Sequence, residues 1–477
     1  MTDPADALLP RDDLAGRIRR GETSSLALTE RYLARIEDEG SPVRAFVTVT
    51  ADLARAQASA ADDALARAER LGALHGLPIA IKDNIDLAGA RTTMGSRFFA
   101  DNVPARDAEA THRLREAGAV ILGKTAMHEF AYGGTTQNPH FGACRNPWDL
   151  ERIPGGSSGG SGAALAADLC AAALGTDTGG SVRIPAALNG ASALRPTTGR
   201  ISNTGVFPIT WTFDTVGPMA HCVADVAALY ATLAGYDPAD PLSRDVAVDA
   251  PLADLEAGVE GLRVGFPERF YLEDVDDEVA TCVRAAADVL ATLGAEVVPV
   301  DLPGAEDAME ITTRIIRAEA LAIHRRRLEE QADVFGDDVR RRLALGHQIS
   351  GADYAALRQR ARVWRRTVED VFSRIDLVLT PATGTVAPRA EDAETIETTR
   401  RLTRLTYGWS LAAVPVLAVP CGASARGLPV GMQLAAAPWR ETTLLRAGHA
   451  YQRETDWHLR RPAAIDAPHD TTRRRTG

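Results

Sequence analysis

Three stretches of the chain hold residues whose types and spacing could do chemistry. Pro154-Gly155-Gly156-Ser157-Ser158-Gly159-Gly160-Ser161-Gly162 concentrates hydroxyls on a small-residue backbone and runs at once into AALAADLCAAALG, which reads as an Ala-rich helix. Gly175-Thr176-Asp177-Thr178-Gly179-Gly180-Ser181-Val182-Arg183-Ile184-Pro185-Ala186 follows. Its Pro-Ala-Ala suits the first turn of a helix, so the Gly-rich backbone before it presents N–H groups where an anion or a developing oxyanion is held. Lys82 closes the apolar run Leu77-Pro78-Ile79-Ala80-Ile81. Its amine therefore emerges at a buried strand end, where desolvation lowers its pKa toward that of a usable base.

Four readings compete for these stretches. Gly/Ser richness in isolation means a flexible linker, but a linker joins two self-sufficient cores and this one runs into a helix. A phosphate cradle wants G-x-x-x-x-G-K-[ST], and the lysine is absent. A nucleophile elbow, G-x-S-x-G, is formally present over Gly155 to Gly159 but needs a strand directly before it. RNPWDLERIP, with two prolines, is a poor strand, and no late histidine has a distinguishing context. The fourth reading pairs serine with a neutral lysine that activates it. Lysine usage favours it, because the chain has 51 Arg and only two Lys, Lys82 and Lys124. Arginine cannot give up its proton at usable pH, and a desolvated lysine can. Lys124, at the end of AVILGKT, reads as statistical residue; the bland alternative for Lys82 is a strand-end charge paired with Asp83 or Asp86.

The elements that must position these residues read as α/β. Residues 12–60 carry helical spacing, with Leu26, Leu28, Tyr32, Leu33 and Ile36 on one side. Buried strands are expected at Leu77 to Ile81, Ala119 to Leu122, Ala171 to Leu174, Leu262 to Phe266, Val297 to Val300, Asp376 to Leu379, Val416 to Val419 and Gly431 to Leu434. Helices alternate with them at Ala108 to Ala117, Val223 to Leu233, Asp277 to Leu293 and Tyr354 to Phe372. The 477 residues would allow roughly three domains, but no repeat or long linker divides them, so one large domain over 1–477 is expected. Its parts are a helical region at 12–60, a core at 70–240, the remaining sheet and pocket helices at 241–460, and a frayed tail at 461–477. Arg325 to Arg327 and Arg340 to Arg342 read as solvated or carboxylate-paired faces.

Composition limits the function classes. Apolar residues make up 45%, charged residues 25% and aromatics 5%, the range of an ordinary globular enzyme. A net charge of −11 argues against a duplex nucleic-acid binder, which needs a broad cationic face. The five cysteines are scattered and odd in number, so neither a disulfide framework nor a zinc knuckle is indicated. MTDPADALLPRDDLAGRIRR has no apolar core of a signal peptide, and no stretch approaches 18 apolar residues. A cytoplasmic protein is expected.

GGSSGGSGAA from Gly155, GTDTGGSVRIPA from Gly175 and LPIAIKDNID around Lys82 resemble, in order and separation, the three defining segments of the amidase signature family. MHEFAYGGTTQNPHFGACRNP from Met127, VPVLAVPCG and LPVGMQL are similar too, so the resemblance runs from about Asp12 to His458. It implies a single α/β/α domain with a central mixed β-sheet flanked by helices, no cofactor, no metal and a Ser-Ser-Lys triad. Carried over by motif position, Ser181 is the nucleophile, Ser157 the bridging serine after a cis peptide from Gly156, and Lys82 the terminal base. Backbone N–H groups of Thr178, Gly179, Gly180 and Ser181 would form the oxyanion hole. Ser158, Asp177 and Arg183 would support them. Ala131 and Gly133 match substrate-lining positions, and their smallness suggests room for a bulky group.

The family holds stand-alone amidases, ureide and carbamate hydrolases, fatty-acid amide hydrolases and the glutaminase subunit of a tRNA-dependent amidotransferase. GDDVRRRLALG resembles the region where that glutaminase grips its amino acid through an arginine, and Arg342 falls near the position. In RLTRLTYGWSLAAVP, however, Thr403 stands about where the glutaminase has an aspartate that reads the substrate amine, and Ser410 where it has an asparagine. The expectation is therefore a stand-alone hydrolase of a small-molecule amide, carbamate or ester, with neither nucleic acid nor membrane as a partner and with homo-oligomer formation left open by the sequence. The alternative is a partner-dependent subunit that supplies ammonia to another protein.

Overall fold

Largely apolar runs of four to eight residues form the strands of the main sheet in a computed structural model that describes residues 13–463 apart from 39 and 394. Residues 464–477 of the expected tail lie outside the described residues, as do residues 1–12. In chain order the strands are β1 (Phe46–Val49), β2 (Pro78–Lys82), β3 (Val120–Thr125), β4 (Gln137–Asn138), β5 (Gly142–Ala143), β6 (Ala172–Thr176), β7 (Ser192–Arg195), β8 (Val216–Ala220), β9 (Arg263–Phe266), β10 (Glu296–Pro299), β11 (Leu377–Pro381), β12 (Val416–Ala423) and β13 (Pro429–Ala436). Eleven of them form one sheet in the order β1-β3-β2-β6-β8-β7-β12-β13-β11-β9-β10, and β4 and β5 make a separate pair. β2 lies parallel between β3 and β6, and β9 is parallel to β10 and β11. The strands from β6 through β8, β7, β12 and β13 to β11 pair antiparallel, so the sheet is mixed, as expected. Every residue of β2, β3 and β6 is buried, which is why these strands read as unbroken apolar runs rather than alternating ones.

Three expectations need correction. The helical stretch at 12–60 is interrupted by β1, a run with two valines and a threonine that suits a pleated surface better than a helix. The Ala-rich segment is not one helix: the helix spans Gly159–Ala166, Asp168 turns the chain at a positive φ of 50°, and β6 follows. β7 and β8 were not anticipated, because each is short and β8 contains Gly217 and Pro218, which are poor strand formers.

The helix Gly159–Ala166 is small because it must lie close. It is buried throughout, and a Cβ at Gly160 would sit 2.4 Å from the backbone N and O of Ala126 and 2.6 Å from the Ala45 carbonyl. Gly160→Ala is therefore expected to cost about 1–3 kcal/mol of stability, read as a lowered urea midpoint; an unchanged midpoint would mean the helix is seated elsewhere. A second apolar cluster fills a layer made by the helices Ala305–Glu330, Gly351–Phe372 and Tyr407–Ala412, around Ile315, Trp364 and Trp409. Among the described residues no helix is long and apolar enough to cross a membrane, and all five cysteines are free thiols.

Candidate active site

β2 ends at Lys82, and parallel neighbours in register share a face of a sheet. Ile81 pairs with Lys124 and Lys82 with Thr125, so the two lysines lie on opposite faces. Lys82 is fully buried beside the Gly/Ser loop. Its Nζ donates to Ser157 Oγ at 2.7 Å and to Thr176 Oγ1 at 2.8 Å. Burial pushes its amine down to about 7, against the opposing pull of Asp214 and Asp177. Lys124 is not the incidental residue expected. It too is fully buried, donates to the Ile85 carbonyl, and is pushed down to about 8 by burial against the pull of Asp83 and Asp86. It braces the 83–86 turn that leaves β2 on the face away from Ser157.

The Gly/Ser stretch is no linker. Residues Ile153 to Gly180 are buried without a break. The Gly156-Ser157 peptide is cis, as the resemblance implied. Thr136 Oγ1 donates to the Gly155 carbonyl at 2.7 Å and accepts from Gly159 N–H at 3.2 Å, pinning both flanks of the loop. Ser158 joins this loop to the second one: its N–H donates to the Ser181 carbonyl at 3.2 Å, and its Oγ donates to the Thr176 carbonyl at 3.2 Å. Ser181 itself is partly exposed among buried neighbours, opening onto a pocket also lined by Gly156, Thr178, Gly179, Ala131 and Gly133. The structure thus sets Ser157 in direct contact with Lys82 and joins the loop that carries Ser157 to Ser181 through the Ser158 N–H.

Asp177 holds the second loop in shape. Its carboxylate accepts from Arg183 Nε and Nη2, both at 3.0 Å, from Arg195 Nη1 at 3.1 Å, and from the N–H groups of Gly180 and Val182 at 2.8 and 3.2 Å. Burial alone would raise this carboxyl, but Arg183 and Arg195 hold it well below the usual carboxylate range. The Gly180 N–H, expected in the oxyanion hole, donates here to Asp177 Oδ1 at 2.8 Å. Gly180 serves the loop differently: its φ of +125° favours glycine, and a Cβ there would lie 2.5 Å from Thr406 Oγ1. Arg183 continues the chain of bonds to the Thr406 carbonyl at 3.1 Å, Gln433 Oε1 at 3.2 Å and Ser410 Oγ at 2.9 Å. Asp177→Asn would leave two buried guanidinium groups without their counter-ion. The expected cost is about 3–5 kcal/mol, measured by chemical denaturation; a loss under about 1 kcal/mol would show that water already screens the cluster.

Several residues escaped sequence reasoning. Thr176 sits inside the second motif, one residue before Asp177, and offered that position as its only signal. Asp214 accepts from Thr178 Oγ1 at 2.6 Å and from the N–H groups of Ile209 and Thr210, and burial raises its carboxyl above the ordinary value. Tyr132, Thr399 and Tyr407 complete the inner pocket with Thr403 and Arg342, and come from segments far apart in the chain. Ser410 does not reach the pocket wall; it is buried under Arg183.

The sequence profile of the amidase family matches residues 27–445. The chain belongs to the amidase family. This amidase is 42% identical to a glutamyl-tRNA(Gln) amidotransferase subunit of Roseiflexus sp. (strain RS-1), over 95% of its own length and 98% of the relative's. Among solved structures it is similar to peptide amidase from Stenotrophomonas maltophilia, with a TM-score of 0.85 and 31% identity, covering 98% of this chain and 99% of that one. It also resembles a chain from a structure described as an unexpected vestigial protein complex that reveals the origins of an s-triazine catabolic enzyme, with a TM-score of 0.88 and 36% identity, covering 92% and 97% of the two chains. The amidase family supports the general reaction, hydrolysis of a C–N bond, and the mixed sheet flanked by helices is the architecture of its solved members.

Proposed function

We propose that this amidase hydrolyses a carboxamide through an acyl-enzyme on Ser181, with Ser157 as proton shuttle and Lys82 as base. Ser181 Oγ attacks the carbonyl carbon while its proton passes to Ser157 Oγ and the Ser157 proton to Lys82 Nζ. The oxyanion is met by the backbone N–H groups of Thr178, Gly179 and Ser181. Collapse breaks the C–N bond, the relay runs backward to protonate the departing amine, and water then releases the acid by the same relay. Asp177 and Arg183 keep the loop in shape, and Ser158 ties Ser181 to the shuttle's loop. Aryl amides, carbamates and esters present the same carbonyl and fall within reach of this chemistry. The observation that carries the reading is the 2.7 Å contact of Ser157 Oγ with a buried lysine whose amine sits at about 7.

A second reading, a partner-dependent subunit that supplies ammonia to another protein, is favoured by the names of the relatives at 40–42% identity. Against glutamine as the substrate stands the inner pocket's lining, which contains Arg342 and no carboxylate, so an α-ammonium finds no counter-ion there. The experiment is fluorophosphonate labelling of the purified chain with peptide mapping, beside turnover of anilides, carbamates and esters without any partner protein. Modification at Ser181 with turnover is the expected result. Modification without turnover would favour the partner-dependent reading, and labelling elsewhere would overturn the assignment of Ser181.

A further inference from the structure

The inner pocket opens into a wider cleft of about 630 Å³, and the two share Tyr132, Ile316, Arg342, Thr399, Thr403 and Tyr407. The cleft's lining carries four arginines and two glutamates, a positive wall on a chain of net charge −11. Most of these charges are already spent. Arg342 Nε holds Asp338 at 3.0 Å and its Nη2 bonds Thr399 Oγ1 at 3.0 Å. Arg314 lies 3.5 Å from Glu310, Arg400 bonds Glu397 at 2.8 Å, and Glu306 faces Arg269 at 3.2 Å. Arg317 differs: half-buried, next to the shared Ile316 on the helix Ala305–Glu330, it has no hydrogen-bond or ion-pair partner among the described residues. Arg317 lines the cleft directly after Ile316, a residue of the neck that both spaces share.

A guanidinium that lines a cleft with no protein partner among the described residues is free to meet an anion, and its planar fork suits a carboxylate. The cleft's positive potential draws anions in. We infer that Arg317 binds a carboxylate on the part of the substrate that projects from the neck into the cleft, so that the substrates of this amidase are anionic amides. The inference rests on the reading of Ser181 as the reaction centre, because it takes the neck as the path from that residue.

The test compares paired amides of equal length on the purified enzyme: a glutaryl anilide against its uncharged pentanoyl counterpart, and an N-acyl amino acid against the N-acyl amine. The wild type is expected to favour the charged member of at least one pair, mainly through KM. Arg317→Gln is expected to reduce that preference about 10- to 100-fold, the worth of a charge-assisted hydrogen bond, and Arg317→Lys to restore part of it. Calorimetric titration with glutarate, which needs no turnover, is expected to give binding to the wild type that weakens by the same factor in Arg317→Gln. A preference for neutral amides in both pairs, or glutarate binding that is absent or indifferent to the substitution, overturns the inference. Absent turnover combined with Arg317-dependent glutarate binding would instead count against the Ser181 reading and leave the anion site standing.

Discussion

Ser181→Ala is expected to abolish turnover, with loss of about four to six orders of magnitude in kcat, and to abolish fluorophosphonate labelling. No other group can take its place. Ser157 lies behind the cis peptide, fully buried and hydrogen-bonded to Lys82, while Ser181 is partly exposed to the pocket. The structural cost is expected to be small, because the position is partly exposed and its backbone carbonyl, which Ser158 holds, is untouched. Activity assays and thermal melts on the same preparation separate the two effects. Residual turnover above about 1% of wild type would mean that the nucleophile is another residue.

Lys82→Arg is expected to be nearly as damaging, by about two to four orders of magnitude, although charge and approximate length are kept. A guanidinium does not lose its proton at usable pH, so it cannot accept one from Ser157. For the wild type, kcat/KM is expected to rise with pH and to level off above about 7, because the proposed working form of Lys82 is the neutral amine. Lys82→Met makes the same point through stability. The folded-state value, about 7, lies below the ordinary 10.5, so the unfolded chain binds the proton more readily between these values. Lys82 therefore opposes folding fully below pH 7, less as the pH rises, and not at all above about 10.5. The inactive Lys82→Met variant is expected to be more stable than wild type at pH 7 by on the order of a few kcal/mol, with the gap closing toward pH 10. Denaturation at both pH values checks this; a gap independent of pH would show that packing, not charge, is what changed.

Where chemistry was written in contiguous motifs, it was legible. The Gly/Ser segment, the Asp177-to-Arg183 block and the lysine closing an apolar run each carried a local physical meaning, and the structure sets them side by side. Strands with continuous apolar runs were legible for the same reason. β7 and β8 were not, because their strand character comes from neighbours in the sheet rather than from their own residues. Lys124 misled because a residue at a strand end is ambiguous until register assigns its face; one residue of offset from Lys82's partner turns it away from Ser157. Asp214, Tyr407 and Arg317 carry no motif of their own, and only the folded chain brings them to the site.

Arg183 is bonded to Gln433, 250 residues further along the chain. A ribosome adding roughly 5–20 residues per second needs on the order of 10–50 s to cover that distance. Until then, Asp177 can gather its two arginines, but the far anchors at Thr406, Ser410 and Gln433 do not yet exist. The nascent polypeptide thus carries the three residues proposed as the triad for much of its synthesis without these far anchors of Arg183. A chain cut short before residue 433 lacks the Gln433 anchor of Arg183 and is expected to show no amide turnover, which assay of the truncated chain checks.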